Sequence, residues 1–312
     1  MRDRFLALTG ALATMIALLV LVPVLVGAQA PAKPAAAATT LRTPWGDPDL
    51  QGDWTGMTTT PMQRPANGRV VITDPEVLAE QYDRDPAETG GGVGTYNAFW
   101  REYGQPVPGQ QSLIVDPPDG RIPAMTPEGK QRAARSRFPN AGSANPEDRS
   151  PNERCINWEI AIEGGVSTWY RIVQTPGYVA INQYRMHDMR LIPLDGRPHV
   201  SEDVRQWQGD SRGHWEGNTL VVDTTNFNGK ALVQGSSEKL HLIERLTRVD
   251  ADNIHYEATF IDPTTWERPW TFANPLRKDT EGFYEYGCHE GNHALTGILS
   301  GTRAEERKGA GK

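Results

Sequence analysis

From Leu240 to Ile261 apolar and polar residues take turns, and that alternation holds the most informative part of the chain to a β architecture. Leu240, Leu242, Glu244 and Leu246 fall on one side of a strand, and His241, Ile243, Arg245 and Thr247 on the other. Asp250-Ala251-Asp252-Asn253 then supplies a turn of polar residues. Beyond it Ile254, Tyr256, Ala258 and Phe260 share one face, and His255, Glu257, Thr259 and Ile261 the other. Side chains of period two project to opposite faces of a sheet. Two readings follow. The sheet has one face in water, or it closes into a barrel whose polar face lines a ligand cavity.

The neighbouring segments continue the pattern. Thr219–Phe227 is rich in Val and Thr, which suit a pleated surface. His214–Glu216 and Thr219–Asp223 flank Gly217-Asn218 as a hairpin, and Thr168–Gln174 and Tyr178–Tyr184 flank Thr175-Pro176-Gly177 as another. Met189–Leu194 is a further strand. Trp266–Phe272, broken by Pro269, suits an edge or a bulge. Phe283–Cys288 reads as the last strand and Leu50–Thr60 as the first. Nine or ten strands at this spacing predict a mainly β fold: one antiparallel barrel or strongly curved sheet.

The amino terminus is a targeting segment. Arg2 and Arg4 precede an apolar run, Phe5–Val26, and small residues follow, with cleavage expected after Ala28. The predicted location is the periplasm or the exterior. The run is also long enough to span a bilayer, so an uncleaved inner-membrane anchor is the alternative, and it is the one expected membrane contact. Residues 29–42 form an Ala/Pro-rich linker. Cys155 and Cys288 are the only cysteines. In an exported chain an even count predicts a disulfide. The formal net charge of −7 argues against nucleic acid as a partner.

Residues 64–150 read as an irregular insertion with short helices, because their apolar runs are too short to build a core alone. Asp74-Pro75 opens a helix to Tyr82, Tyr96–Tyr103 is a short aromatic segment, and Thr126-Pro127-Glu128 opens a helix to about Arg137. Ser112–Val115 is a short apolar run closed by Asp116-Pro117-Pro118-Asp119-Gly120. The expected organisation is a signal peptide (1–28), the linker, one β-rich domain (43–303) and a disordered tail (304–312).

Two resemblances attach to these residues. Gly52-Asp53-Trp54 is similar to the short G-x-W signature on the first strand of lipocalin-like barrels. The phrases TPWGDPDLQG, DPPDGRIP, RIVQTPGYVAI, IPLDGRPH, GDSRGHWEGNTLVVDTTNF, RVDADNIHYEATFIDPTTWERPW and EYGCHEGN resemble an uncharacterised family of exported bacterial proteins. That resemblance implies export and a single folding unit and transfers no catalytic residue. In that family Tyr often stands at the position of His293.

All seven histidines lie in the second half of the chain. Histidine is the side chain whose ordinary pKa lies nearest neutrality, hence its use as acid, base or metal ligand. The catalytic candidates are His187, His241, His255, Glu257, His289 and Glu290. His289-Glu290-Gly291-Asn292-His293 spells H-E-x-x-H, but a zinc protease needs that pattern on a helix. Gly287 and Gly291 disfavour one here, so no metal is expected. In Tyr184–Arg190, Asp188 and Arg190 form a surface ion pair, or His187 is a base with Arg190 as its orienting or anion-binding partner near the barrel mouth. Trp207, His214 and Trp215 add aromatic and polar groups of the kind small-molecule pockets use, and Arg245 joins them as a ligand-binding candidate. Phosphate-loop, serine-elbow, C-x-x-C and Ca²⁺-loop patterns are missing from the sequence, so no cofactor is expected.

Three functions stay open: a binder holding a small, partly apolar molecule inside the barrel, a cofactor-free lyase, isomerase or hydrolase using His and Glu/Asp in the same cavity, and a structural envelope protein. The enzyme reading needs a His and a carboxylate within hydrogen-bond reach in the cavity, and it gains if His241, Arg245, His255 and Glu257 share the cavity face.

Overall fold

The structure is a computed structural model that describes residues 41–66, 71, 104–136, 143–157, 168–230, 235–284 and 286–310. All of them belong to one compact unit, Thr39–Lys312. The targeting segment, most of the linker, the helix expected over Pro75–Tyr82 and the segment Tyr96–Tyr103 lie outside the described residues.

The unit is mainly β. Its strands are β1 (Gly52–Thr55), β2 (Ile114–Asp116), β3 (Trp169–Thr175), β4 (Tyr178–Gln183), β5 (Met189–Pro193), β6 (Asp210–Glu216), β7 (Thr219–Thr225), β8 (His241–Arg248), β9 (Asn253–Ile261) and β10 (Trp270–Lys278). They form one antiparallel sheet in the order β5-β4-β3-β1-β10-β9-β8-β7-β6, with β2 added against β10. The sheet curls into a nearly closed barrel of lipocalin-like shape. Gly177 and Gly217 turn the two tight hairpins with φ of 83° and 61°, a region only glycine enters freely.

The alternation decides which face is inside. Leu242, Glu244, Leu246, Ile254, Tyr256, Ala258 and Phe260 are buried, and His241, Ile243, Arg245, His255 and Glu257 point outward. The apolar faces therefore pack against each other across the barrel, and the polar face meets water.

At the end of the barrel where β7 begins, the lower end, Trp54 is fully buried, donates from Nε1 to the Leu50 carbonyl at 3.0 Å and lies 5.1 Å from the Arg248 guanidinium. Arg248 also donates to the Asp49 carbonyl at 2.8 Å. This cation–π contact and its backbone anchor shut that end.

Two edges meet without a ladder. Among the described residues, β5 pairs only with β4 and β6 only with β7. Side chains join them instead. A Cβ on Gly213 of β6 would lie 2.7 Å from Leu194 Cδ2 and 2.8 Å from Ile192 Cγ2. Gly213 is thus the residue that lets the edges approach.

Two helices flank the sheet, α1 (Pro127–Ser136) and α2 (His293–Ala310). α1 starts where expected: Thr126 Oγ1 accepts from the Gly129 amide at 3.0 Å. Its Arg132 reaches Thr265 Oγ1 at 2.6 Å on the loop between β9 and β10. α2 corrects the expected disordered tail, because Arg303–Glu306 and Glu305–Lys308 pairs support helix through Ala310. The strand expected over Phe283–Cys288 is also corrected. Its described residues, 283, 284 and 286–288, are loop or turn, and Phe283 and Tyr286 pack on Tyr184 rather than into the sheet. The first and tenth strands are shifted: β1 stops at Thr55, and β10 starts after Pro269 and runs to Lys278.

Gly213→Ala should destabilise the protein by about 1–3 kcal/mol in urea unfolding, the usual cost of overpacking. Gly301→Ala on α2, where an added Cβ meets nothing within 4 Å, should be neutral or stabilising by up to about 1 kcal/mol. Equal stabilities for Gly213→Ala and the parent chain would contradict the tight seam.

Candidate functional site

One polar side chain from each of eight strands points into the barrel. Arg190 of β5 and Glu244 of β8 are buried and form a bidentate pair across the interior, with Nη1–Oε2 at 2.5 Å and Nη2–Oε1 at 2.9 Å. Tyr256 of β9 donates its hydroxyl to Glu244 Oε1 at 2.8 Å. Asn274 of β10 is the cross-strand partner of Tyr256 and donates to the Gly56 carbonyl at 2.8 Å. Ser211 of β6 and Thr224 of β7 share a 2.9 Å hydrogen bond. Tyr170 of β3 faces Gln183 of β4. Strands of a barrel tilt, so residues at one height come from shifted positions along successive strands. These eight make a belt around the interior.

The belt is chemically unfinished. Burial alone would lower the Arg190 pKa, but Glu244 more than offsets it and holds the guanidinium above its ordinary value. A guanidinium has five N–H donors, and Glu244 takes two of them. Asn274 Oδ1 is buried with no hydrogen-bond partner. Gly213 and Ala258 lie beside Val222 and Glu244 in one register row.

The belt also reaches solvent on one side only. Gln183, Arg190 and Ser211 keep 6–7% exposure, whereas Leu242, Tyr256 and Phe260 have none. The cause is strand length. β3, β4, β5 and β6 start or stop within one residue of their belt member, while β8, β9 and β10 continue upward with Leu242, Phe260, Phe272 and Trp270. Phe260 stacks on Trp270 at 4.2 Å, closing that side.

Over the open side runs the turn from β4 to β5. Met186 in it has φ 60°, a left-handed backbone uncommon for a side chain of this size. Burial lowers the pKa of Arg185, and Tyr286, Tyr170 and Tyr184 act on its charge. Tyr184 packs on Trp169, Tyr286 and Phe283 at centroid distances of 5.0, 5.5 and 6.0 Å. The Phe283–Tyr286 segment is held by the Cys155–Cys288 disulfide expected from the sequence.

The remaining candidates take other places. His187 sits in the same turn, and its side chain lies outside the described residues. His241, Arg245, His255 and Glu257 are on the outer wall, so the shared cavity face that would have favoured the enzyme reading is not formed. His255 bonds Glu257 at 3.1 Å, and Glu216 takes Arg245 at 2.8 Å and His214 at 3.3 Å. These are exposed ion pairs of small energetic value. Trp215 packs against the core, and Trp207 is half-buried in the loop before β6. His289 and Glu290 are exposed in a turn and His293 begins α2, so the H-E-x-x-H pattern is not on one helix. Among the described residues no group of three or more His, Cys, Asp or Glu is arranged to hold a metal ion.

A second cluster, absent from the candidates except for His241, lies on the outer wall. Asp223 accepts from His241 Nε2 at 2.8 Å and from His199 Nε2 at 3.0 Å. His199 Nδ1 lies 2.9 Å from Asp210, which also takes Arg212 at 2.7 Å. The cluster pins the 195–209 loop to the barrel. The belt and this cluster were hard to find in sequence because each member is ordinary on its own strand. The one available signal was Glu244, a lone charge on an apolar face.

No family model matches the chain, and no curated protein matches it.

Glu244→Gln should lower stability by about 3–5 kcal/mol in urea unfolding, because it leaves the buried Arg190 charge without a counter-charge. The double change Arg190→Met with Glu244→Leu should recover most of that loss. A single change costing under about 1 kcal/mol would contradict a desolvated pair.

The outer cluster predicts a pH window. Asp223 raises the His241 pKa above 6.5, so their stabilisation is complete below pH 6.5 and is lost as pH rises through the raised value. His241, ahead of His199, lowers the Asp223 pKa below 3.8, so the same contribution is lost as pH falls through that lowered value. Asp223→Asn should therefore cost most between about pH 4 and 6.5, by about 1 kcal/mol or less for groups this exposed. Denaturation curves across pH check this, and a pH-independent difference would contradict it.

Proposed function

We propose that the chain is an exported protein that binds a small, partly apolar molecule in the upper lumen of the barrel, against the open side of the polar belt. The observation that carries this reading is the unfinished belt. Arg190 keeps N–H donors beyond the two that Glu244 takes, Arg190 and Gln183 lie on the side of the belt that keeps contact with water, and Asn274 Oδ1 is buried without a partner on the closed side. Apolar surroundings with a few convergent polar groups are the usual make-up of a ligand site. Export is supported by the Cys155–Cys288 disulfide, a bond characteristic of oxidising compartments. It is supported further by the charged and apolar amino-terminal segment. Among the described residues no helix is long and apolar enough to cross a membrane. Grouping with the exported bacterial proteins that share its phrases is part of the same proposal.

The geometry favours binding over proton transfer. The lumen's carboxylate, Glu244, is committed to Arg190 and Tyr256, and the oriented imidazole, His241, is on the outer wall. A structural envelope role would leave the belt's spare donors and acceptors without purpose.

Native mass spectrometry of protein purified from a periplasm tests the reading. The expected spectrum has a fraction of chains carrying one organic mass, released on denaturation. Chains without any added mass, and with none taken up from a periplasmic extract, would contradict it.

A further inference from the structure

Between β5 and β6, the two edges without a ladder, the chain is fastened to the outside of the barrel. Leu194, just after β5, packs on Gly213 of β6. The Pro198 carbonyl then accepts from Arg212 Nε at 3.0 Å, and the Val200 amide donates to Asp210 Oδ2 at 3.1 Å. Asp210, Arg212 and Asp223 alternate with the inward Ser211, Gly213 and Thr224, so they belong to the outer face. Residues 194–200 therefore form a strap from the β5 edge to the outer face of β6. We infer that His199 is the buckle of a pH-sensitive device: the strap is fastened when both ring nitrogens carry protons and freed when only one does. The device is independent of whether the barrel holds a ligand.

The argument is a count of donors and acceptors. Asp210 Oδ1 accepts from Arg212 Nη1 at 2.7 Å, and Asp210 Oδ2 lies 2.9 Å from His199 Nδ1. Asp223 Oδ2 accepts from His241 Nε2 at 2.8 Å, and Asp223 Oδ1 lies 3.0 Å from His199 Nε2. An ionised carboxylate only accepts, and a neutral imidazole has one N–H and one lone pair. In either neutral tautomer the lone pair of His199 faces a carboxylate oxygen, and one of the two contacts becomes repulsive. Only the imidazolium donates to both. Asp223 stays ionised, because His241, ahead of His199, holds its pKa below 3.8. The charged groups around His199 are thus Asp210 and Arg212 of β6, Asp223 of β7 and, beyond Asp223, His241 of β8. Of the loop's own charges, Asp195 pairs with Arg197, Arg205 donates to the Phe227 and Glu238 carbonyls, and Glu202 and Asp203 are exposed.

The rest of the loop is held by groups that do not titrate. Asn226 Nδ2 donates to the carbonyls of Val200, Ser201 and Val204, and the Gln206 amide donates to the Asn226 carbonyl at 2.9 Å. A change of pH therefore acts on residues 194–200 and leaves the part beyond them docked. The fastened strap holds one more proton than the freed one, so acid fastens it and rising pH frees it.

Amide hydrogen exchange and nitrogen NMR on the full chain, at about pH 5.5 and about pH 8, span the range in which imidazole changes charge. Protection of the Val200 amide, corrected for intrinsic exchange, should fall about tenfold at the higher pH, the worth of one hydrogen bond to a charged group. Protection of the Gln206 amide should not change. His199→Gln, which does not titrate, should abolish the pH dependence at Val200, and His241→Gln should keep it. At the lower pH both ring nitrogens of His199 in the parent chain should carry protons, a readout that needs no variant to fold. A single N–H on His199 at that pH overturns the inference, as does equal Val200 protection at both pH values. So does a pH dependence that survives His199→Gln or vanishes in His241→Gln.

Discussion

The Arg190–Glu244 pair is the interaction on which the rest of the barrel turns. Each ion costs several kcal/mol to remove from water, and only the bidentate contact and the Tyr256 hydroxyl offset that cost. The pair links β5 to β8 across the interior, near the β5 and β6 edges between which no ladder runs among the described residues. Much of the surrounding sequence serves it. Gly213 and Ala258 keep the row beside Glu244 narrow, and Ile192 and Leu194 close over Gly213. A hydrophobic pair of the same volume would hold a barrel together at least as well. Retaining charge there makes most sense if the belt is needed for recognition.

Closure elsewhere uses different means. Trp54 and Arg248 shut the lower end by stacking, and Asp262 anchors the loop above β9 by accepting from Ser237, Thr264 and Thr265. Burial opposes the Asp262 charge, but those hydrogen bonds hold its pKa below the ordinary value. The disulfide and the Tyr184 aromatic cluster fasten the rim. The outer wall carries His199, His214, His241 and His255 in pairs with carboxylates.

The strands were legible because period two survives in sequence, and β8 and β9 matched to within two residues. The disulfide followed from compartment and count. Which face points inward was left open between two readings, and the histidines on polar strand faces, His214, His241 and His255, drew the barrel reading to the wrong side. Glu244 stood out on an apolar face, yet its partner did not, because β5 meets β8 only after the sheet curls. Gln183, Ser211 and Asn274 look like ordinary strand residues until tilt brings them to one height. Arg303–Lys308 read as a charged tail because charge alone does not distinguish a solvated helix from a disordered end.

Native-state hydrogen exchange on the β5 and β6 amides tests the central claim most directly. If side chains rather than a ladder close the barrel, amides of residues 189–193 and 210–216 should lose protection well before those of 241–248 and 253–261. Bound ligand should slow β5 and β6 selectively. Protection on β5 and β6 equal to that of β8 and β9, with or without ligand, would mean that the barrel is closed by hydrogen bonds and that the Arg190–Glu244 pair is not its clasp.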